Sequence, residues 1–125
     1  VDVRIVTPHI PDKWYVHLLT QSFYPPLVRA GVKIYEYTPG FIHSKTFVSD
    51  DHTATVGTIN LDFRSLYLHF ECGTWLYQTK TVAAVKEDFL KTLERCQEIT
   101  LEDCKNVKWY KRCLRGLLRV FAPLM

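Results

Sequence analysis

His43 and Lys45 stand two residues apart in the segment His43-Ser44-Lys45-Thr46-Phe47-Val48-Ser49-Asp50. Gly57-Thr58-Ile59-Asn60 follows, and then Glu71. On an extended strand, residues two apart leave the same face. An imidazole and an ammonium would therefore project side by side. Thr58 and Asn60 share the same spacing on the next segment. A hairpin through Asp50-Asp51-His52 would bring the two pairs together. An imidazole, an ammonium, a hydroxyl and an amide converging on one patch suit a phosphoryl group. Lys45, Thr58 and Asn60 can hold non-bridging oxygens without a metal or cofactor. His43, with an ordinary pKa of ~6.5, can attack phosphorus or move a proton at neutral pH. Glu71 could orient an imidazole through its second nitrogen. Asp50 has the opposite parity to His43 and sits at a turn, which points to a structural hydrogen-bonding role within the same motif.

These residues need a scaffold, and the pattern supplies one. Val1 to Val6 alternates as a strand does, and Thr7-Pro8-His9-Ile10-Pro11 breaks it. Asp12 suits the N-cap of a helix over Lys13 to Ala30, with Pro25-Pro26 expected to interrupt it and Gly31 to stop it. Strands are expected over Val32 to Tyr37, Ile42 to Ser49, Thr53 to Ile59 and His69 to Tyr77, with Asn60 to Leu68 irregular or a short helix. From Val82 the period becomes helical, with Val82, Val85, Phe89, Leu93 and Cys96 on one face. Thr100 and Asp103 have capping-box spacing before a last helix over Lys105 to Phe121. The fold class is α/β, a mixed β-sheet flanked by helices. Residues 1–98 read as the body and 99–125 as a basic amphipathic helical extension.

A chain of 125 residues, 47% hydrophobic and 23% charged, can bury a core, which excludes a disordered or low-complexity polymer. Net charge is a mild +3, but it is unevenly spread. Six basic residues and no acid lie between Lys105 and Arg119; the rest of the chain has ten basic against thirteen acidic residues. On the last helix Lys108, Lys111, Arg112, Arg115 and Arg119 step by three and four, while Tyr110, Leu114, Leu117, Leu118 and Phe121 follow another side. With Trp109 beside them, these residues suit an anionic membrane surface. An ordinary surface helix with a solvated basic face is the alternative. The four cysteines, Cys72, Cys96, Cys104 and Cys113, contain no C-x-x-C pair, so zinc-ribbon and thioredoxin readings fail and reduced thiols in a cytosolic setting are expected. No apolar run reaches 18 residues.

The pattern H-x-K-x4-D-x6-G-[ST]-x-N, with an acid eleven residues after the Asn, resembles the phospholipase D superfamily signature at every position: His43, Lys45, Asp50, Gly57, Thr58, Asn60 and Glu71. The flanks Gly31 to Tyr37, Asn60 to Ser65 and Phe70-Glu71, the Thr100-Leu101-Glu102 segment and the basic end resemble the C-terminal half of bacterial cardiolipin synthases. The resemblance implies an active site shared by two similar halves. One histidine forms a phosphohistidine and the other protonates the leaving alcohol. It also implies phosphatidyl transfer between two phosphatidylglycerol molecules, at the cytoplasmic face of the cell membrane, with the anchor upstream. By the family's usual order His43 would be the general acid/base. Only one such motif is present: His9, His17, His52 and His69 have no Lys two residues on. The partner expected is thus a second half-site, from the parent chain or a second copy. A nuclease of the same superfamily acting as a homodimer is the enzymatic rival. Basic residues segregated on one helix argue against nucleic acid as a partner. A non-catalytic membrane-docking module is the remaining alternative, and the intact motif argues against it.

Overall fold

The computed structural model describes residues 1–124. In chain order the elements are β1 (Arg4–Pro8), α1 (Trp14–Arg29), β2 (Lys33–Tyr37), β3 (Thr46–Ser49), β4 (Thr53–Gly57), a π-helical turn (Arg64–Leu68), β5 (Gly73–Tyr77), α2 (Lys80–Leu93), β6 (Cys96–Ile99), α3 (Leu101–Lys105) and α4 (Trp109–Val120). A 3₁₀ turn, Ala122–Leu124, follows. They form two compact units, one of residues 1–42 with 95–125 and one of residues 43–94. The expected α/β class holds, although the strands form two three-stranded sheets where one mixed sheet was expected.

In the first unit β1 and β2 pair in parallel, Ile5 opposite Ile34, with α1 as the crossover between them. β6 pairs antiparallel on the far edge of β2, Ile34 opposite Ile99. Ile34 and Glu36 leave the same face of β2, and both are buried. α1 lays Leu19 and Tyr24 into this core. A carboxylate there needs partners. Glu36 accepts from the Tyr24 hydroxyl at 3.1 Å and from Gln21 at 3.4 Å, and it pairs with His9 Nδ1 at 2.7 Å. Thr7 bonds the same Tyr24 hydroxyl at 2.8 Å. Burial and the neighbouring Glu36 push the Tyr24 phenol well above its ordinary range, although the bond from Thr7 opposes them. His9 is exposed and also closes this network.

Pro25 and Pro26 do not interrupt α1, which runs through them to Arg29. Each proline lacks the donor that would reach back four residues. The carbonyls of Gln21 and Ser22 thus lose their usual helical partners, but packing keeps the helix continuous. The N-cap is Lys13 instead of Asp12, without a side-chain cap bond. Gly31 ends the helix as expected, at φ +90°.

The C-terminal segment departs from a single helix over Lys105 to Phe121. Thr100 and Asp103 form a complete capping box, so α3 starts at Leu101. The chain leaves helical geometry at Asn106 and resumes with α4 at Trp109. α3 and α4 both pack on α1 in the first unit. Cys96, expected on the α2 face, instead begins β6.

In the second unit β3, β4 and β5 form an antiparallel meander, Val48 opposite Ala54 and Ala54 opposite Leu76. α2 covers it through Val82, which is fully buried, and Ala54 is buried beneath. The β3–β4 hairpin turns at Asp50 and Asp51, with φ of 51° and 63°. Two consecutive left-handed residues match the twist of the paired strands. Lys86 on α2 pairs with Asp51.

Gly57, at the end of β4, lies opposite Gly73. A Cβ at Gly57 would fall closer than 3.0 Å to the Cys72 carbonyl oxygen and the Gly73 Cα. Both are backbone atoms, so neither can rotate away. Gly57→Ala is expected to destabilise the protein by roughly 1–3 kcal/mol, read as a lower urea midpoint at unchanged slope. An unshifted midpoint would show that the strands separate at no cost.

Candidate active site

The residues singled out by the sequence, His43, Lys45, Asp50, Thr58, Asn60 and Glu71, all lie in the second unit. His43 and Lys45 precede β3, which begins at Thr46 instead of Ile42. The ladder nevertheless reaches Lys45, whose carbonyl accepts from the Gly57 N–H at 3.2 Å. This extends the register of β3 and β4 by one pair, so Lys45 faces Gly57, and Gly57 faces Gly73. The row across the three strands at this end thus carries one side chain, that of Lys45.

Lys45 Nζ bonds His43 Nδ1 at 2.5 Å and the His43 carbonyl at 2.7 Å. An ammonium can only donate. Nδ1 is therefore the acceptor, and the proton of a neutral His43 ring resides on Nε2. His43 is exposed and Lys45 half-buried.

Thr58 and Asn60 follow the end of β4, where a second set of bonds holds them. The Thr58 hydroxyl donates to Glu71 Oε2 at 2.5 Å and accepts from the Cys72 N–H at 3.1 Å. The Thr58 N–H donates to the Cys72 carbonyl at 2.9 Å. Asn60 Nδ2 donates to the hydroxyl of Ser65 at 3.3 Å. Ser65 is buried in the π-helical turn, and its own N–H donates to Asp62 Oδ1 at 2.7 Å. The carboxyl of Glu71 is held below the usual carboxylate range, first by the Thr58 hydroxyl, then by Ser65, with smaller attractions from His69 and Lys45. Thr58, Asn60, Ser65 and Glu71 thus form one bonded cluster, and the charge of Lys45 reaches it.

Asp50 sits elsewhere. It occupies the left-handed turn at the opposite end of β3, where Ser49 Oγ donates to it at 2.9 Å. Its placement fits a carboxylate that shapes the hairpin. Arg64 Nε donates to His69 Nε2 at 2.7 Å. Cys72 was not legible as a contributor, because it acts through its backbone N–H and carbonyl, whose positions depend on the close strand approach; Ser65 lay in the Asn60 to Ser65 flank that resembles the family, but its bond to Asn60 depends on the π-helical turn. Among the described residues no three His, Cys, Asp or Glu side chains converge closely enough to hold a metal ion.

Residues 1–93 match the sequence model of the family described as "Cardiolipin synthase, PLD-like domain". The chain belongs to this family. A cardiolipin synthase of Halalkalibacterium halodurans is 44% identical over the entire chain, which covers 25% of that protein. A cardiolipin synthase of Alkalihalophilus pseudofirmus is 39% identical with the same coverage. An uncharacterized protein of Streptococcus mutans is 46% identical over the entire chain, covering 27% of its length. The chain thus spans about a quarter of the length of these curated relatives. No solved structure matches it. Within this PLD-like domain family, the His43–Lys45 pair and the Thr58–Glu71 cluster are the groups whose chemistry fits a phosphoryl centre.

The Thr58–Glu71 bond has a direct readout. Thr58→Val is expected to raise the Glu71 pKa toward the ordinary glutamate range, seen in a carboxyl-carbon NMR titration. Because the folded-state pKa is lowered, this interaction stabilises the fold above the ordinary glutamate range and is lost as pH falls through the folded-state value. The variant should lose that part of the acid sensitivity. An unmoved titration would assign the shift to another neighbour.

Proposed function

We propose that the chain supplies one of two histidine half-sites of a cardiolipin synthase, acting on phosphatidylglycerol at the cytoplasmic face of the membrane. The observation that carries this reading is the His43–Lys45 pair, with its ammonium on Nδ1, set in a chain similar to named cardiolipin synthases throughout its length. Among the described residues no helix is long and apolar enough to cross a membrane. Membrane attachment in this reading therefore uses a surface helix or parts of the protein outside this chain.

The chemistry needs two imidazoles. In the first step the histidine of the other half attacks the phosphorus of one phosphatidylglycerol. A phosphorus–nitrogen bond forms, and the bond to the glycerol oxygen breaks. His43, as the imidazolium, gives its Nε2 proton to the leaving oxygen and is left neutral, and glycerol departs. In the second step the glycerol hydroxyl of another phosphatidylglycerol loses its proton to His43 and attacks phosphorus. The phosphorus–nitrogen bond breaks, and cardiolipin is released. Two phosphatidylglycerol molecules become one cardiolipin and one glycerol. Lys45 and the second amide proton of Asn60 supply positive charge and a donor for the non-bridging oxygens, where charge accumulates, while the hydroxyl proton of Thr58 stays on Glu71. Glu71 keeps Thr58 in place, and Asp50 shapes the hairpin that presents the pair.

The single His-x-Lys pair in the chain supports the half-site reading, since the two-step scheme assigns different tasks to two histidines. The lipid transferase reading is favoured over a homodimeric nuclease by the relatives, which are named cardiolipin synthases over the full chain.

In the protein at its full natural length, His43→Ala is expected to lower cardiolipin formation from phosphatidylglycerol by at least about 10²–10⁴-fold. His43 is exposed, so the urea midpoint should stay close to wild type. Wild-type turnover in a folded His43→Ala protein would sink the assignment.

A further inference from the structure

A cavity of about 380 Å³ opens in the first unit between α1, α3 and α4. Arg29, Lys105, Arg112, Arg115 and Arg119 line it, and its lining contains no Asp or Glu. Among the described residues none of these five pairs with a carboxylate. Two buried polar atoms of the lining have no hydrogen-bond partner in the protein: Ser22 Oγ and Arg115 Nε. Both can donate. Arg115 uses another nitrogen to bond Gln21, which fixes its guanidinium in the wall. Arg119 lies over the Phe23 ring, 4.6 Å from its centre, which fixes the next turn. Burial holds the Arg115 guanidinium below its ordinary range, against weaker attractions from Cys104, Tyr24 and Glu36.

Of the basic side expected on the last helix, Arg115 turns toward Gln21 of α1 and is half-buried, and Arg119 lies over Phe23 of α1 while staying exposed like Lys108, Lys111 and Arg112. Trp109, Tyr110, Leu117 and Val120 are exposed large apolar side chains of α4, beside the cavity row.

We propose that this cavity binds a phosphate group, presented as the headgroup of an anionic phospholipid, at a site separate from the His43 pair. A tetrahedral oxyanion matches the lining: several cations without a carboxylate, and two desolvated donors awaiting an acceptor. The volume accommodates a phosphodiester with part of its headgroup. The exposed Trp109, Leu117 and Val120 favour a lipid as the source, because they would meet the interface beside the headgroup. Every residue named belongs to the unit without His43, and the inference does not rest on the catalytic reading.

The test uses the protein at its full natural length with Lys45→Ala as a common background, which weakens phosphate binding at the His43 motif and leaves the remainder the same for every variant compared. Two probes are titrated: inorganic phosphate, and vesicles of phosphatidylglycerol mixed with phosphatidylcholine, against pure phosphatidylcholine. Arg29→Gln with Arg112→Gln removes two exposed cations of the cavity and should leave the fold intact. Lys108→Gln with Lys111→Gln removes the same charge from residues that do not line it. The cavity pair is expected to weaken both probes about tenfold or more, and the control pair about twofold or less. Loss of phosphate binding with unchanged vesicle binding would support the cavity and assign free phosphate as its source. Arg115→Gln, with folding followed by circular dichroism, should reproduce the cavity pair. Equal effects of the two double variants, or no binding of either probe to the background protein, would overturn the site.

Discussion

Backbone contact at the Gly57–Gly73 crossing is the constraint on which the candidate site depends. With no Cβ on either residue, β4 and the start of β5 approach more closely than side chains would permit. That approach lets Thr58 exchange backbone bonds with Cys72 and place its hydroxyl on Glu71. It also empties the row in which Lys45 stands, so an ammonium can lie over the strands and reach the imidazole of His43. A bulkier residue at position 57 would separate the strands before it touched any reacting group. The glycine of the motif is thus a spacer, and the chemistry belongs to its neighbours.

Much of this was legible from spacing alone. The alternation of Thr53 to Gly57 and the Asp50-Asp51 turn each follow from local rules, and the structure follows them, whereas His43 and Lys45 lie just before the strand expected to carry them. The Thr100–Asp103 capping box was readable for the same reason, since both partners lie within four residues. The failures have a common cause in tertiary packing. Pro25-Pro26 should break an isolated helix, yet packing against β2 and the C-terminal helices carries α1 through them. The helical period from Val82 to Cys96 ignored the demand of β2 for a partner on its open edge, which draws Cys96 into a strand.

The C-terminal helix teaches a sharper version of the same lesson. A charge pattern identifies which residues share a side of a helix, not which side faces the protein. On α4 the half-buried positions include Arg115 along with Leu114 and Leu118, while Trp109, Leu117 and Val120 lie open. An arginine can take such a position because its long apolar stem packs while its planar head finds Gln21. The pairing of Gln21 with Arg115 spans 94 positions along the chain, and no local rule could supply it.

The order of the strands also bears on how the chain is made. The second unit is one uninterrupted stretch, residues 43–94, whereas the first is assembled from two stretches that flank it. As the ribosome releases the chain, β2 emerges with β1 on one edge and nothing on the other until Cys96–Ile99 arrives. The meander with α2 can close on itself in that interval, while a bare strand edge waits for its complement. An unpaired edge invites association with neighbouring chains. The charged side chain of Lys33 and the buried carboxylate of Glu36, both on β2, are the kind of residues that discourage such pairing until β6 covers it.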